Sequence, residues 1–188
     1  MKEGNQKVTS FKVVRKGKKK GVLVTYSKQY SDDTGAVITV DAPSEFHAVE
    51  PHRDLKNLFD RLSMHYAALT EREKFKDASF GKDEEVQRCV GMYPVGSVQW
   101  KEGKNYVGVM MHGHKVLSTG HACNSLTRLV TFNDEDSNYD FADQLEELTD
   151  SIRDEVVLLL SGKHAPPAQT SITDADQQEV EEEVEEQA

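Results

Sequence analysis

The 188-residue chain has few features that would cross-link it or place it in a membrane. It contains two cysteines, Cys89 and Cys123, without a CxxC spacing, which favours a reducing compartment over a disulfide scaffold. No apolar run approaches the length that spans a bilayer, and the first ten residues lack the apolar stretch of a signal peptide. We therefore expect a soluble cytoplasmic protein, in the host cytoplasm if viral, with no membrane partner.

The sequence motifs of common enzymes are also missing. Gly17-Lys18 lacks the preceding glycine and the following Ser or Thr of a P-loop, and neither GxSxG nor HExxH occurs. We predict no catalytic residue and no cofactor, and we expect that the chain is not an enzyme.

Four residues on one predicted hairpin are possible metal ligands. His112 and His114 form an HxH pattern, and His121 and Cys123 an HxC pattern, on either side of a predicted turn. Four such ligands on one hairpin would suit zinc, but their spacing matches no known zinc module. Alternating polar residues on a solvated strand produce the same pattern, so we predict no metal site.

The last residues lack cations and aromatic side chains altogether. The segment from Pro166 to Ala188 carries eight carboxylates and no Lys or Arg, so it accounts for most of the net charge of −10. It has too little apolar surface to offset the entropy lost on ordering. We expect a disordered acidic tail over 164–188, which either solubilises the protein or recruits basic protein partners.

The start of the chain has the opposite charge. Between Met1 and Lys28 there are nine Lys or Arg residues and a single acid, Glu3. Five of these cations fall within 15–20, at a predicted hairpin tip that would attract phosphate oxygens without reading sequence. A solvated hairpin whose lysines prevent edge pairing is the alternative interpretation.

Periodicity and turn residues predict strands and helices in a repeated order. Strands are expected at 9–16, 21–28, 35–41, 90–100, 105–112 and 122–132. A helix opening at Pro51 has a stripe of Leu55, Leu58, Phe59, Leu62, Tyr66 and Leu69. A second helix after Ser137 or Asn138 has a stripe of Phe141, Leu145, Leu148, Ile152, Val156 and Leu159. The charged segment 71–87 is interpreted as a connection.

The two halves of the chain match at several turn positions. Gly21-Val22 corresponds to Gly108-Val109, and Lys28 to Lys115, at a nearly constant offset. We predict an α+β fold with a duplicated β-β-β-α unit, its halves about 9–70 and 90–162 within one domain, 1–163. The expected architecture is two three-stranded sheets or one six-stranded antiparallel sheet, with two amphipathic helices packed on one face.

Basic and aromatic residues alternate along the predicted strands, an arrangement typical of proteins that bind single strands without sequence preference. The residues predicted to contact phosphates are Lys12, Arg15, Lys16, Lys18, Lys19, Lys20, Lys28 and Lys104. Those predicted to stack on bases are Tyr26, Trp100 and Tyr106.

A β-rich core followed by an acidic tail from Asp174 to Glu186 resembles the layout of bacteriophage-type single-stranded DNA-binding proteins. The resemblance implies sequence-nonspecific binding of single-stranded nucleic acid in replication or recombination. The alternative is a non-enzymatic assembly protein of viral type, in which the duplicated sheet is an oligomerisation surface. A homo-oligomer is compatible with both functions.

Overall fold

A computed structural model of the chain describes residues 2–16, 19–31, 37–76, 80–103, 106–132 and 139–164. They form eight strands and three helices. In chain order these are β1 (Lys2–Lys16), β2 (Lys19–Ser31), β3 (Val37–Asp41), β4 (Glu45–His47), α1 (Arg53–Leu69), α2 (Asp83–Met92), β5 (Val95–Glu102), β6 (Val107–Val116), β7 (Ala122–Leu126), β8 (Val130–Thr131) and α3 (Ala142–Leu160).

All eight strands belong to one antiparallel sheet. Its main path runs β3-β2-β1-β5-β6-β7, while β4 pairs with β2 and β8 pairs with β6. The predicted α+β class with an antiparallel sheet is therefore confirmed. The sheet is continuous because β1 and β5 pair directly, with Phe11 opposite Val98.

Each half of the chain has four strands before its helix, not the three that we predicted. The additional strands, β4 and β8, are only three and two residues long, too short for an alternating pattern to reveal them. The predicted strand over 122–132 is divided between β7 and β8.

The two predicted helices are present, and their apolar stripes are buried. All six stripe residues of α3 lie in the core, as do those of α1 except Leu58, which is half-buried. Helix α2 was not predicted, since 71–87 was interpreted as a connection and Val90 as the start of a strand. Three acids in its first turn, Asp83, Glu84 and Glu85, favour a helix N-terminus, and Val86 and Cys89 form a short buried stripe.

The core lies between the helices and one face of the sheet. Helix α1 packs on β5 and helix α3 on β1, so each helix contacts the first strand of the other half. Phe11 of β1 also meets Phe59 of α1 edge-on, with ring centroids 5.5 Å apart. Neither half could bury its apolar surface alone in this arrangement.

None of the helices within the described residues is long and apolar enough to cross a bilayer. The predicted acidic tail lies outside the described residues from position 165 onward.

Candidate nucleic-acid interface

The face of the sheet opposite the helices forms a cleft of about 800 Å³. Every strand on the main path of the sheet contributes to its lining. Most of the lining residues carry hydroxyl, amide or amine groups: Thr9, Ser10, Lys12, Thr25, Ser27, Thr39, Ser44, Ser97, Gln99 and Lys101.

A β-bulge decides which residues of β1 face the cleft. Val8 and Phe11 are both buried in the core although they are three positions apart, which strict alternation would not allow. The pairing with β2 shifts between Val8 and Ser10, so that Ser10 and Lys12 lie on the open face. The bulge therefore brings a hydroxyl and an ammonium group to the middle of the cleft.

The pairing of β1 with β5 builds the centre of the cleft. Ser10 lies opposite Gln99 and Lys12 opposite Ser97, on either side of the buried Phe11–Val98 pair. None of the side chains of Ser10, Lys12, Ser97 and Gln99 has a hydrogen-bond or ion-pair partner among the described residues. Ser97 is only 6% exposed, which places it at the floor of the cleft.

Lys12 and Lys101 give the cleft its positive charge. Glu102 is the one acid among the described lining residues, and its carboxylate pairs with Lys7 and with Arg153, whose Nη2 lies 3.4 Å away. Burial lowers the pKa of Arg153, while Glu102 and two nearby aspartates act in the opposite direction. Because Glu102 is engaged by two cations, Lys12 and Lys101 determine the sign of the field in the cleft.

The predicted phosphate contacts are only partly described. Lys12 lines the cleft, and Lys20 is exposed on β2. The backbone register pairs Arg15 with Lys20 and Lys16 with Lys19. The side chains of Arg15, Lys16 and Lys19 lie outside the described structure, as do the whole of Lys18 and Lys104.

Three predicted contacts need correction. Tyr26 and Trp100 are each 4% exposed, because their strand positions point towards the helices, so neither ring is accessible to a base. The Arg153 guanidinium of α3 lies 4.9 Å from the centroid of the Trp100 ring. Lys28 is half-buried and pairs with Val40 on the same face as Tyr26, away from the cleft. Tyr106, in contrast, is 40% exposed beside the β5–β6 turn.

The sequence-based prediction missed most residues that line the cleft, including Ser10, Thr25, Ser97 and Gln99. Their signal was the alternation of small polar residues with buried ones in Ser97-Val98-Gln99-Trp100. The predicted site included only charged and aromatic residues, so it did not include these small polar ones.

The four possible metal ligands do not converge. His114 pairs with Asn124, whereas Cys123 pairs with Lys115 at the next position, so Cys123 and His114 lie on opposite faces of the sheet. No group of three or more His, Cys, Asp or Glu side chains in the described part of the chain is placed to hold a metal.

A second cavity, of about 220 Å³, lies among the three helices. His65 lines it and is 3% exposed, and its Nδ1 is 2.8 Å from the hydroxyl of Tyr139. Burial, with a smaller effect from Arg61, lowers the pKa of His65 to about 3. Burial also raises the pKa of Tyr139, so the pair is neutral at physiological pH.

No protein-family model, curated protein or solved structure matches the chain.

Proposed function

We propose that this protein binds single-stranded nucleic acid without sequence preference, across the open face of its sheet, as a replication or recombination accessory protein. One observation carries the proposal. Lys12 and Lys101 lie in a single cleft of about 800 Å³ that extends across six strands. The five strand spacings make the cleft about 24 Å wide, which accommodates several linked nucleotides.

The chemistry of the lining supports this choice of ligand. Lysine, serine, threonine and glutamine are side chains that contact phosphate and sugar oxygens, and such contacts carry no sequence information. The three described helices pack on the core side of the sheet, so none of them lies on the open face to enter the major groove of a duplex. A flexible single strand, in contrast, can follow the curvature of the cleft.

We also propose that the sheet is a duplicated unit of four strands and a helix. Gly21 and Gly108, 87 positions apart, occupy equivalent places: a Cβ on either would collide with a main-chain carbonyl, that of His47 in β4 or that of Val130 in β8. Phe11 and Val98 are also 87 positions apart and pair with each other. These registers support an approximate two-fold axis through the centre of the cleft.

The acidic tail is proposed to compete with nucleic acid for the same cleft. Its eight carboxylates between Asp174 and Glu186 are opposite in charge to Lys12 and Lys101. A polyanion tethered to the protein has a high effective concentration at its surface. Basic protein partners that bind the tail would then remove it from the cleft and leave the cleft open to nucleic acid.

Fluorescence anisotropy of a labelled oligothymidine tests these proposals. We expect Lys12→Glu combined with Lys101→Glu to weaken binding at least tenfold at low salt. The slope of log K against log salt should fall by about 1–2, because two phosphate contacts are lost. A chain ending at Lys163 should bind more tightly than the full chain.

The matched control is Lys56→Glu combined with Lys82→Glu, which makes the same charge change on α1 and at the start of α2. Equal weakening in both double variants would mean that net charge, and not the cleft, governs binding. Absence of salt-sensitive binding by either chain length would refute the proposed function.

A second function, edge-to-edge assembly, is favoured by the exposure of apolar residues near β7. Val116 is 38%, Leu117 40% and Leu126 50% exposed beside this edge strand, and an open strand edge can pair with another chain. Light scattering after size exclusion separates the two functions. Assembly predicts a defined oligomer that Val116→Lys with Leu117→Lys dissociates, and whose mass does not change when oligothymidine is added.

A further inference from the structure

The cleft offers hydrogen-bonding groups where a base-stacking surface would offer aromatic rings. Among the described lining residues, Trp100 and His112 carry aromatic rings, and the Trp100 ring lies on the helix side against Arg153. The described rings on the neighbouring core-facing positions, Phe11 and Tyr26, are buried as well. The exposed imidazole of His112, opposite Ser97, is therefore the one described ring in the cleft on which a base can stack.

The centre of the cleft instead presents free donors and acceptors in a symmetric set. Ser10 and Ser97 occupy equivalent positions on β1 and β5, and each lies opposite the other strand's long polar side chain. Their hydroxyls donate and accept, the Gln99 amide does both, and the Lys12 ammonium donates. Ser97 is 94% buried and without a partner among the described residues, so its hydroxyl is available to a ligand that enters the cleft.

We infer that the cleft recognises the sugar–phosphate backbone of the strand and leaves the bases outside. This inference rests on the proposed function and specifies which part of the ligand is bound. Phosphate oxygens accept hydrogen bonds from Lys12, Gln99 and the serine hydroxyls, and sugar oxygens accept them in the same way. Among the described lining residues only His112 offers an accessible ring to a base, so the other bases then face solvent.

Competition between defined oligomers tests the inference with the full chain. A labelled oligothymidine is displaced by unlabelled oligothymidine or by an abasic oligodeoxynucleotide of equal length and charge. We expect the two competitors to differ by no more than about tenfold, the contribution of a single base stacked on His112. A loss of more than about tenfold for the abasic strand would require further stacked bases and would overturn the inference.

A second competitor separates sugar–phosphate recognition from simple charge attraction. Inorganic polyphosphate of matched charge should compete at least tenfold less well than the abasic strand, because it has no sugar oxygens and a different phosphate spacing. Equal competition would also overturn the inference.

Substitution of the uncharged central residues provides an independent readout. Ser10→Ala, Ser97→Ala and Gln99→Ala together should weaken both oligomers equally, by about tenfold, without changing the salt slope. The matched control is Ser118→Ala with Gln87→Ala, at exposed positions outside the cleft, where no change is expected. Unchanged affinity in the triple variant would contradict the inference.

A failure of the proposed function can be distinguished from a failure of the inference about backbone recognition. If neither oligothymidine nor the abasic strand binds, the proposed function itself is wrong. If oligothymidine binds and the abasic strand does not, the proposed function stands and the bases are the part recognised.

Discussion

The two faces of the sheet differ in what their side chains contribute. On the helix-covered face, Phe11, Val98 and Trp100 join one apolar core, and their burial stabilises the fold. On the open face, the residues next to them in sequence, Ser10 and Gln99, have no partner among the described residues. Adjacent residues of one strand are thus divided between the apolar core and the surface that we propose for binding.

The largest difference in stability should appear between substitutions of two neighbouring residues of β1, one on each face of the sheet. Phe11→Ala should destabilise the fold by about 3–5 kcal/mol, because it leaves a cavity against Phe59. Lys12→Ala, one residue away on the open face, should change stability by less than about 0.5 kcal/mol. Urea unfolding of both variants measures the difference, and similar losses would contradict the assignment of the two faces.

A second effect tests how dry the helix side of the core is. The pKa of His65 is about 3 in the folded chain, below its unfolded value of 6.5. Between these values the unfolded state binds one more proton, so stability falls as pH falls below 6.5, by about 1 kcal/mol per pH unit.

His65→Gln should remove this part of the pH dependence, whereas His121→Gln, in an exposed turn, should leave it unchanged. Unfolding curves at pH 7 and pH 4.5 provide the comparison. An unaltered slope in His65→Gln would show that the imidazole is solvated.

The open face should tolerate substitution except beside the short strands β4 and β8, which pair with β2 and β6. Gly21→Ala and Gly108→Ala should each cost about 1–3 kcal/mol, because a Cβ would lie 2.5 Å or less from a main-chain oxygen. Gly91→Ala, in α2 with open space around it, should stabilise the chain by up to about 1 kcal/mol. Thermal melts of the three variants check the contrast, and a neutral Gly108→Ala would weaken the proposed equivalence of β4 and β8.

The smallest effect concerns the buried hydrogen bond between His65 and Tyr139. Tyr139→Phe keeps the ring against Phe141 and removes the hydroxyl, so the loss should be about 1 kcal/mol. Tyr106→Phe, which removes an exposed hydroxyl, should have no measurable effect on the melting temperature. A loss as large as that of Phe11→Ala would mean that the hydrogen bond organises much more of the core than its two partners.

Sequence periodicity predicted the long helices because an apolar stripe is a property of consecutive residues. Leu145, Ile152 and Val156 are buried as their spacing indicated. It failed at α2, a ten-residue helix with as many charged as apolar residues. Tyr26 and Trp100 were assigned to the wrong face because an aromatic residue in a strand is equally compatible with core and surface, and only neighbouring elements decide between them.

Composition and short-range spacing were sufficient to predict the opposite charges of the two ends, the antiparallel α+β class and the apolar stripes of α1 and α3. Only the tertiary structure brought Lys12 and Lys101 into one cleft, since the pairing of β1 with β5 joins residues far apart in the chain. Only it revealed the bulge before Ser10, which changes the face of the sheet on which each later residue of β1 lies. Such pairings depend on how two halves bury each other's apolar surface, and no local pattern encodes that balance.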